Sequence, residues 1–327
     1  MALIHPINRR MERAAMCFFC LAACGLIVHP SGRAFAQAAE PPRYPTPQAA
    51  VQALREAAET KDGEALRRIF GPAADELIQS GDPVEDQRNR ENFAAHFAES
   101  VKLHQVSSDT TVLYIGKLSW PMPIPLVRKN GQWVFDTAAG KREILKRRIG
   151  KNELGAIGVC RAYVDAQRDY AQRSPTHAGA PQYAQRFMSH PGQKDGLYWD
   201  STPDEPLSPL GPLVAQAQAE GYSDKPIKNR RPNQTQPATP YHGYYYQILE
   251  SQGPHAPGGA KNYLVEGKMR GGFALAAYPA KWGDSGVMTF IVNQDGMVYQ
   301  KNLGPTTEAL AGRIASFDPD ASWTKVK

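Results

Sequence analysis

Cysteine is scarce in this chain and unevenly placed. The 327 residues include four cysteines, of which Cys17, Cys20 and Cys24 lie near the start and Cys160 alone lies further on. A single cysteine cannot close an intramolecular disulfide, so the fold that follows has to be stabilised by its hydrophobic cores. Cys160 falls on an apolar helical stripe, which predicts a small buried side chain and not a nucleophile.

Long hydrophobic runs are absent from most of the chain. The one extended run, residues 14–28, follows a basic segment and precedes Ala34-Phe35-Ala36, a small-x-small pattern. The run is short for a membrane span, and this order of segments is typical of a secretory signal peptide. We therefore predict a signal peptide at residues 1–36, cleavage after Ala36, a periplasmic or secreted protein, and no transmembrane helix in the mature chain.

A second export signal lies within the same run. Leu21-Ala22-Ala23-Cys24 resembles a bacterial lipobox, a motif in which the cysteine is lipidated and becomes the first residue of the mature protein. The alternative to a released protein is therefore a lipoprotein anchored through Cys24.

A strong excess of positive charge is also missing. The formal net charge is +6, and removal of residues 1–36, which contain four arginines and one glutamate, lowers it to +3. Such a balance gives little electrostatic attraction to nucleic acid, so we predict no nucleic-acid partner. The run KREILKRRIGK at 141–151 has six cations, and we interpret it as a solvated helix face, with contact to anionic lipid or cell wall as the alternative.

The length that remains after the predicted signal peptide, about 290 residues, suggests two domains or one large one. Residues 37–140 begin with helical patterns, the first of them starting at Thr46-Pro47, and continue with strand patterns at 110–116 and 132–136. This order predicts an N-terminal α+β domain. The pattern is similar to the cone-shaped folds of the nuclear-transport-factor-like class.

Residues 141–327 predict a second α+β domain. Apolar residues of NELGAIGVCRAYVDAQRDYA, at 152–171, form a single stripe on a helix. Strand patterns return much later, at 241–251, 271–279, 286–293 and 297–303. We predict a long helix packed on a three- to four-stranded antiparallel sheet, with a loop-rich insertion at 172–240.

Several long motifs are spread over the chain, among them WPMPIPLV, AYVDAQRDYA, SPLGPLV, YHGYYYQIL and GVMTFIVNQDGMVYQKNLG. Together they resemble the domain of unknown function 2950 family of exported bacterial proteins, over nearly all of the mature chain. The resemblance implies export, but it brings no activity, cofactor or catalytic residue with it.

A second resemblance concerns the fold of residues 141–327. Asn152-Glu153 and Ala166-Gln167 are similar to the segment after the membrane part of pilin-like and pseudopilin-like helices, and GGFALAAYPAKWGDSGVMTFIVNQDG is similar to the final hairpins of their sheet. The resemblance implies a pilin-like fold, in which the helix lies across a four-stranded antiparallel sheet. The polar run KREILKRRIGK stands where pilins have their processing site, so pilus assembly is not implied.

Motifs for catalysis are weak. Gly283-Asp284-Ser285-Gly286 imitates the nucleophile segment of chymotrypsin-like proteases, but no matching histidine pattern accompanies it, and we interpret it as a turn that enters a strand. The histidines lack the paired spacing that is typical of zinc sites. We predict no catalytic residue, no metal site and no cofactor.

Aromatic residues supply the candidate binding site. Strand alternation places Tyr244 and Tyr246 on one face and Tyr245 on the other, and a basic loop at 225–231 lies nearby in the sequence. Aromatic rings beside basic residues suit contact with glycan or peptide, although core packing is the alternative for most of them. The candidate ligand-binding residues are Tyr198, Trp199, His242, Tyr244, Tyr245, Tyr246 and Trp282.

These patterns together predict an exported envelope protein that acts as a non-catalytic binding or interaction module, with an envelope protein or glycan as its partner. The alternative is a periplasmic hydrolase that acts on a cell-envelope polymer, with its site at the junction of the two halves.

Overall fold

The computed structural model describes residues 40–60, 62–173, 181–222 and 239–327, and the chain from Ala38 to Lys327 forms one compact unit. The predicted signal peptide, Cys24, the basic loop at 225–231 and further parts of the predicted insertion lie outside the described residues. Among the described residues, no helix combines the length and the apolar character that a membrane span requires.

Residues 40–136, which we call the N-terminal lobe, consist of helices followed by one antiparallel sheet. The helices are α1 (Pro47–Glu59), α2 (Gly63–Phe70), α3 (Asp75–Ile78) and α4 (Pro83–Glu99), with a 3₁₀ turn at Pro72–Ala74. The strands are β1 (Val101–Ser107), β2 (Thr110–Ile115), β3 (Trp120–Pro121), β4 (Leu126–Lys129) and β5 (Gln132–Phe135). They are ordered β1-β2-β4-β5, and β3 also pairs with β2.

Local sequence signals set the ends of these elements. The Thr46 hydroxyl accepts a hydrogen bond from a backbone N–H of the first turn of α1, and Pro47 occupies the first helical position, which confirms the predicted helix start. Asp82 caps α4 in the same way. Asn130 and Gly131 have φ angles of 52° and 79°, as the two-residue turn between β4 and β5 requires.

A single helix, α5 (Thr137–Arg173), runs from the N-terminal lobe to the rest of the protein. Its 37 residues continue without a break, so the domain boundary predicted at residue 140 falls within its first turn. The first half of α5 packs on α3 and the 3₁₀ turn, and the second half packs on a second sheet. One rigid element therefore supports both halves of the molecule.

The second half of α5, residues 181–222 and residues 239–327 form what we call the C-terminal lobe. Its main sheet is antiparallel and has the strand order β14-β13-β12-β11-β6. Its elements are α6 (Gly211–Ala219), β6 (Tyr244–Leu249), β7 (Ser251–Gln252), β8 (Lys261–Asn262), β9 (Leu264–Val265), β10 (Lys268–Met269), β11 (Ala274–Pro279), β12 (Met288–Asn293), β13 (Tyr299–Asn302), α7 (Thr307–Ala311) and β14 (Thr324–Lys325). The α+β class and the long helix on an antiparallel sheet are confirmed.

The main sheet has five strands because the end of the chain adds β14 to the edge of β13. Both α5 and α7 pack on β11, and all six residues of β11 are buried. Since successive side chains of a strand point to opposite faces, both faces of β11 are covered. The resemblance to pilins stays a prediction.

The helical stripe predicted around Cys160 is the surface of α5 that contacts this sheet. Ala156, Val159, Cys160 and Tyr163 are all buried, and the Tyr163 hydroxyl donates a hydrogen bond of 3.2 Å to the carbonyl of Ala274. Burial raises the pKa of the Cys160 thiol to about 12, so the thiol stays protonated at neutral pH. The predicted structural role of Cys160 is confirmed.

Candidate functional site

The first notable polar contact is a buried ion pair between the lobes. Arg148 of α5, 8 % exposed, pairs with Asp284, 2 % exposed, in the turn that enters β12. The same guanidinium donates hydrogen bonds to the carbonyls of Glu76 and Leu77 in the N-terminal lobe. Arg148, one of the six cations of the 141–151 run, therefore joins both lobes. The interpretation of residues 283–286 as a turn is confirmed.

A second polar group, which we call the junction cluster, lies where α4, α5 and the end of α6 meet the turn before β6. Its members are Asp82, Glu85, Arg88, Lys151, Glu220, Tyr222, Tyr241 and His242. Three of its acids and bases come from α4 or its cap, so a single helix terminus positions much of the cluster.

A strained turn places His242 in this cluster. Tyr241 and Tyr244 exchange two backbone hydrogen bonds, of 3.0 and 3.1 Å, and the two residues between them, His242 and Gly243, have φ angles of 51° and 69°. Positive φ at both central positions defines the type I′ turn, where histidine is tolerated better than most residues. A Cβ atom on Gly155 of α5 would lie 2.9 Å from the His242 ring, so the ring rests directly on the helix.

Carboxylates surround the imidazole. His242 Nε2 lies 3.7 Å from Glu220 Oε2, Arg88 Nη1 lies 3.5 Å from the same oxygen, and Lys151 Nζ lies 2.8 Å from Glu85 Oε1. Burial lowers the pKa of His242, while Glu220 and Glu85 oppose that effect. The imidazole is therefore neutral near pH 7.

Asp82 acts as a structural link. Its carboxylate accepts hydrogen bonds from the Tyr222 hydroxyl at 2.7 Å, from the Gly243 N–H at 3.2 Å and from the Glu85 N–H at 3.1 Å. Burial raises the pKa of Asp82, and burial together with the nearby Asp82 raises the pKa of Tyr222. The carboxylate thereby connects the cap of α4 to the turn that carries His242.

Other oxygens of the cluster accept no hydrogen bond. Within the described part of the chain, Glu85 Oε2, Glu220 Oε2 and the Tyr241 hydroxyl make no hydrogen bond, although Glu85 is 1 % and Tyr241 0 % exposed. A buried polar group without a partner costs about 1–3 kcal/mol. A cleft of about 460 Å³ between α4 and the end of α6 is lined by Arg88 and Glu220, so it reaches the cluster at Glu220.

The N-terminal lobe contains an apolar pocket of about 280 Å³. It lies between α2, α4, the start of α5 and the strands β2 and β3. Its apolar walls include Leu66, Phe70, Phe93, Ile115, Met122 and Ile144, and its polar lining consists of Asp86, Asn89, Arg90 and Arg147.

Three charged side chains, Asp86, Arg90 and Arg147, line the pocket. Arg90 donates to the side chain of Gln87 at 2.8 Å, and Arg147 pairs with Glu143 at 2.8 Å. Asp86 is different, because both of its oxygens accept from the buried N–H of Ser80, and burial raises its pKa. The two guanidinium groups are therefore held by exposed side chains, whereas the carboxylate is held by a buried backbone N–H.

Exposed apolar side chains accompany the pocket. Trp120, which is part of its lining, is 61 % exposed, and Leu118, two residues earlier, is 80 % exposed. Large apolar side chains with this exposure commonly mark contact sites when they adjoin a concave surface.

A larger hollow, of about 780 Å³, lies beside α1 and α2 and is lined partly by charged residues. Arg67 pairs with Glu64 and Asp75, and Arg68 lies 3.9 Å from Asp62. Because these surface charges pair with one another in solvent, we assign no ligand to this hollow.

The predicted aromatic residues occupy different environments. Tyr244 and Tyr246 lie in the core of the C-terminal lobe, where the Tyr244 hydroxyl donates to the carbonyl of Met288 and the Tyr246 hydroxyl to that of Tyr241. The other four candidates are half-buried and held by neighbours: Tyr198 by Asp200, Trp199 by Lys194, Tyr245 by Tyr278 and Trp282 by Asn302. His242 is the predicted residue that belongs to the junction cluster.

The sequence patterns missed both the pocket and the carboxylates around His242. Glu85 and Glu220 come from helices far apart in the chain, and no spacing rule connects them. A signal for the turn was present, since His242-Gly243 between two tyrosines fits a two-residue hairpin turn.

These features define a two-lobed α+β protein that has a preformed apolar pocket in one lobe and a buried ionic junction between the lobes. Residues 42–326 match the family model described as "Protein of unknown function (DUF2950)", and the chain belongs to that family. The match spans both lobes and confirms the family resemblance of the sequence motifs. No curated protein and no solved structure matches the chain.

Proposed function

We propose that this protein is an exported, non-catalytic binding module of the cell envelope, and that its ligand is an anionic amphiphile bound in the pocket of the N-terminal lobe. Export is supported by the signal-peptide pattern of residues 1–36. The family match begins at residue 42, after the proposed cleavage site.

The apolar pocket is the observation that carries this proposal. Its volume of about 280 Å³ is near the lower end of the range for small-molecule sites, roughly 300–1,000 Å³. A short acyl chain or a single ring system suits such a space. Each Å² of apolar ligand surface removed from water contributes about 25 cal/mol.

The arginines that line the pocket favour an anionic head group on the ligand. Arg90 and Arg147 present guanidinium groups whose present partners, Gln87 and Glu143, are exposed surface residues that a ligand can replace. Guanidinium groups bind carboxylate and phosphate in a two-pronged geometry. An apolar body with an anionic head therefore complements this pocket.

A hydrolase at the junction has less support. The neutral His242 and its carboxylates resemble acid–base machinery, but Asp82 already accepts three hydrogen bonds and Lys151 holds Glu85. Contact of an envelope protein or glycan with the half-buried aromatic candidates stays a prediction of the sequence.

The proposed ligand class is tested with two amphiphiles that share a tail. The mature protein, from Gln37 onward, is titrated with decanoate and with decyltrimethylammonium, and binding is followed by the thermal unfolding midpoint and by tryptophan fluorescence, to which Trp120 contributes. We expect decanoate to raise the midpoint with concentration, since a ligand of the folded state stabilises it by mass action. Equal binding of the two amphiphiles, or none, would contradict the proposal.

A pair of variants on α5 locates the site. Ile144→Trp fills the pocket and should abolish decanoate binding, whereas Leu154→Trp, at a position 72 % exposed on the same helix, should leave it unchanged. Decanoate affinity that survives Ile144→Trp would place the ligand elsewhere.

The export part of the proposal has its own test. Fractionation of cells that express the full chain, with mass determination of the mature protein, should give a periplasmic or secreted product that begins at Gln37. A product that begins at Cys24 and carries lipid would mean that the protein is a membrane-anchored lipoprotein and is not released. A full-length product in the cytoplasm would refute export.

A further inference from the structure

The junction cluster contains more acids than bases. The carboxylates of Asp82, Glu85 and Glu220 face the cations of Arg88 and Lys151, and the imidazole among them is neutral. Counted over the described residues, the cluster therefore holds one negative charge in excess at neutral pH.

Several oxygen atoms of the junction cluster lack a hydrogen bond. Among the described residues, Glu85 Oε2 accepts no hydrogen bond, and Glu220 Oε2 has Arg88 Nη1 at 3.5 Å and His242 Nε2 at 3.7 Å without a hydrogen bond to either. The hydroxyl of the wholly buried Tyr241 also makes no hydrogen bond, and its ring centroid lies 4.1 Å from that of His242. A neutral imidazole also offers one ring nitrogen as an acceptor. An occupant that donates several hydrogen bonds would satisfy these groups.

The charge and the donor count together specify the occupant. A primary ammonium group carries one positive charge and three N–H donors. A metal ion is a poorer match, because among the described residues no group of three or more His, Cys, Asp or Glu side chains is arranged to hold one. We propose that the junction cluster binds the primary ammonium group of a small molecule, which enters through the cleft between α4 and the end of α6.

The surroundings predict how this binding depends on pH. Glu85 and Arg88 of α4, Lys151 of α5, Glu220 at the end of α6, and Asp82 with Tyr222 and Tyr241 all face His242. A proton on His242 would supply the same positive charge that the ammonium group supplies. Proton and amine therefore compete, and the affinity for the amine falls as the pH is lowered.

The test uses two cations of equal charge. Isothermal titration calorimetry of the mature protein at pH 7.5 compares ethylammonium with tetramethylammonium, which has no N–H donor, at constant ionic strength. We expect saturable heat from ethylammonium and none from tetramethylammonium, and weaker ethylammonium binding at pH 5.5.

Variants assign the binding to the cluster. Glu220→Gln should lower the ethylammonium affinity at least tenfold, whereas Glu91→Gln, an exposed carboxylate of the same cleft, should not change it. Tyr241→Phe keeps the charge and removes one acceptor, so it should weaken binding several-fold. Thermal unfolding of each variant verifies that it is folded at the titration temperature.

Three results would overturn the inference: no saturable heat from ethylammonium, equal affinity for both cations, or an affinity that Glu220→Gln and Tyr241→Phe leave unchanged. The cluster would then be a hydrated structural contact. Binding of decanoate in the N-terminal pocket is measured independently, so the failure of one proposal is distinguishable from the failure of the other.

Discussion

The two sheets of this protein differ in how completely they are covered. In the C-terminal lobe, α5 and α7 pack on the central strand β11, every residue of which is buried. In the N-terminal lobe, most side chains of β1 are exposed, Trp120 of β3 is exposed, and an apolar pocket remains between the sheet and the helices. The main sheet of the C-terminal lobe is therefore covered on both faces of its central strand, whereas the N-terminal lobe keeps an open apolar pocket.

Truncation of one phenylalanine in each lobe gives the largest expected contrast. Phe290 of β12 is fully buried, so Phe290→Ala should lower the free energy of unfolding by about 3–5 kcal/mol. Phe93 is half-buried and already borders the pocket, so Phe93→Ala should cost less than half as much. Urea unfolding of both variants measures the two losses. Equal losses would mean that the two lobes are equally well packed.

Removal of the buried ion pair tests whether the lobes depend on each other. Arg148→Met leaves the carboxylate of Asp284 buried with Lys281, at 2.7 Å, as its one cation partner among the described residues, and should cost about 3 kcal/mol. Arg147→Met, which breaks an exposed pair with Glu143, should cost about 0.5 kcal/mol or less.

The Arg148→Met variant also tests whether the two lobes unfold together. If the contact couples the lobes, Arg148→Met should separate a single unfolding transition into two, with the pocket-containing lobe unfolding first. A double variant, Arg148→Met with Asp284→Leu, should recover most of the loss, because no unpaired charge is then buried. No recovery would mean that the hydrogen bonds to Glu76 and Leu77 are the stronger contribution.

Two glycines of α5 differ in what a methyl group at each position would meet. Gly155→Ala places a methyl group 2.9 Å from the ring of His242 and should destabilise the protein by about 1–3 kcal/mol. Gly158→Ala meets no atom within 4 Å and should stabilise the helix by about 1 kcal/mol. Opposite shifts of the thermal unfolding midpoint are expected, and shifts of the same sign would show that the turn does not rest on α5.

The sequence predicted the elements whose causes are local. Thr46-Pro47 carries the cap chemistry that the structure shows, and the stripe around Cys160 marked the buried face of α5. The pocket, the pairing of Arg148 and the group around His242 were not predictable in this way. They depend on which surfaces of α4, α5 and α6 meet, and that is decided by packing over the whole chain.

The smallest expected effect is the dependence of stability on pH at the junction. Folding lowers the pKa of His242 from its value in the unfolded chain, which is about 6.5. Just below pH 6.5, the unfolded chain therefore binds more protons than the folded protein. As the pH falls through this range, His242 therefore lowers the free energy of unfolding. His242→Asn removes the contribution and keeps a side chain that tolerates positive φ, so its stability should fall less between pH 7 and pH 5 than that of the parent protein.

The comparison with the parent is essential, because other groups titrate in the opposite sense. The raised pKa values of Asp82 and Asp86 make stability decrease as the pH rises above about 4. Exposed His255 is the matched control: Asp318 raises its pKa, so His255 contributes stability that is lost as the pH rises, and His255→Asn should change the profile with the opposite sign. If His242→Asn and His255→Asn shift the profile in the same direction, the neutral, buried state assigned to His242 is wrong, and with it the single negative charge of the junction cluster.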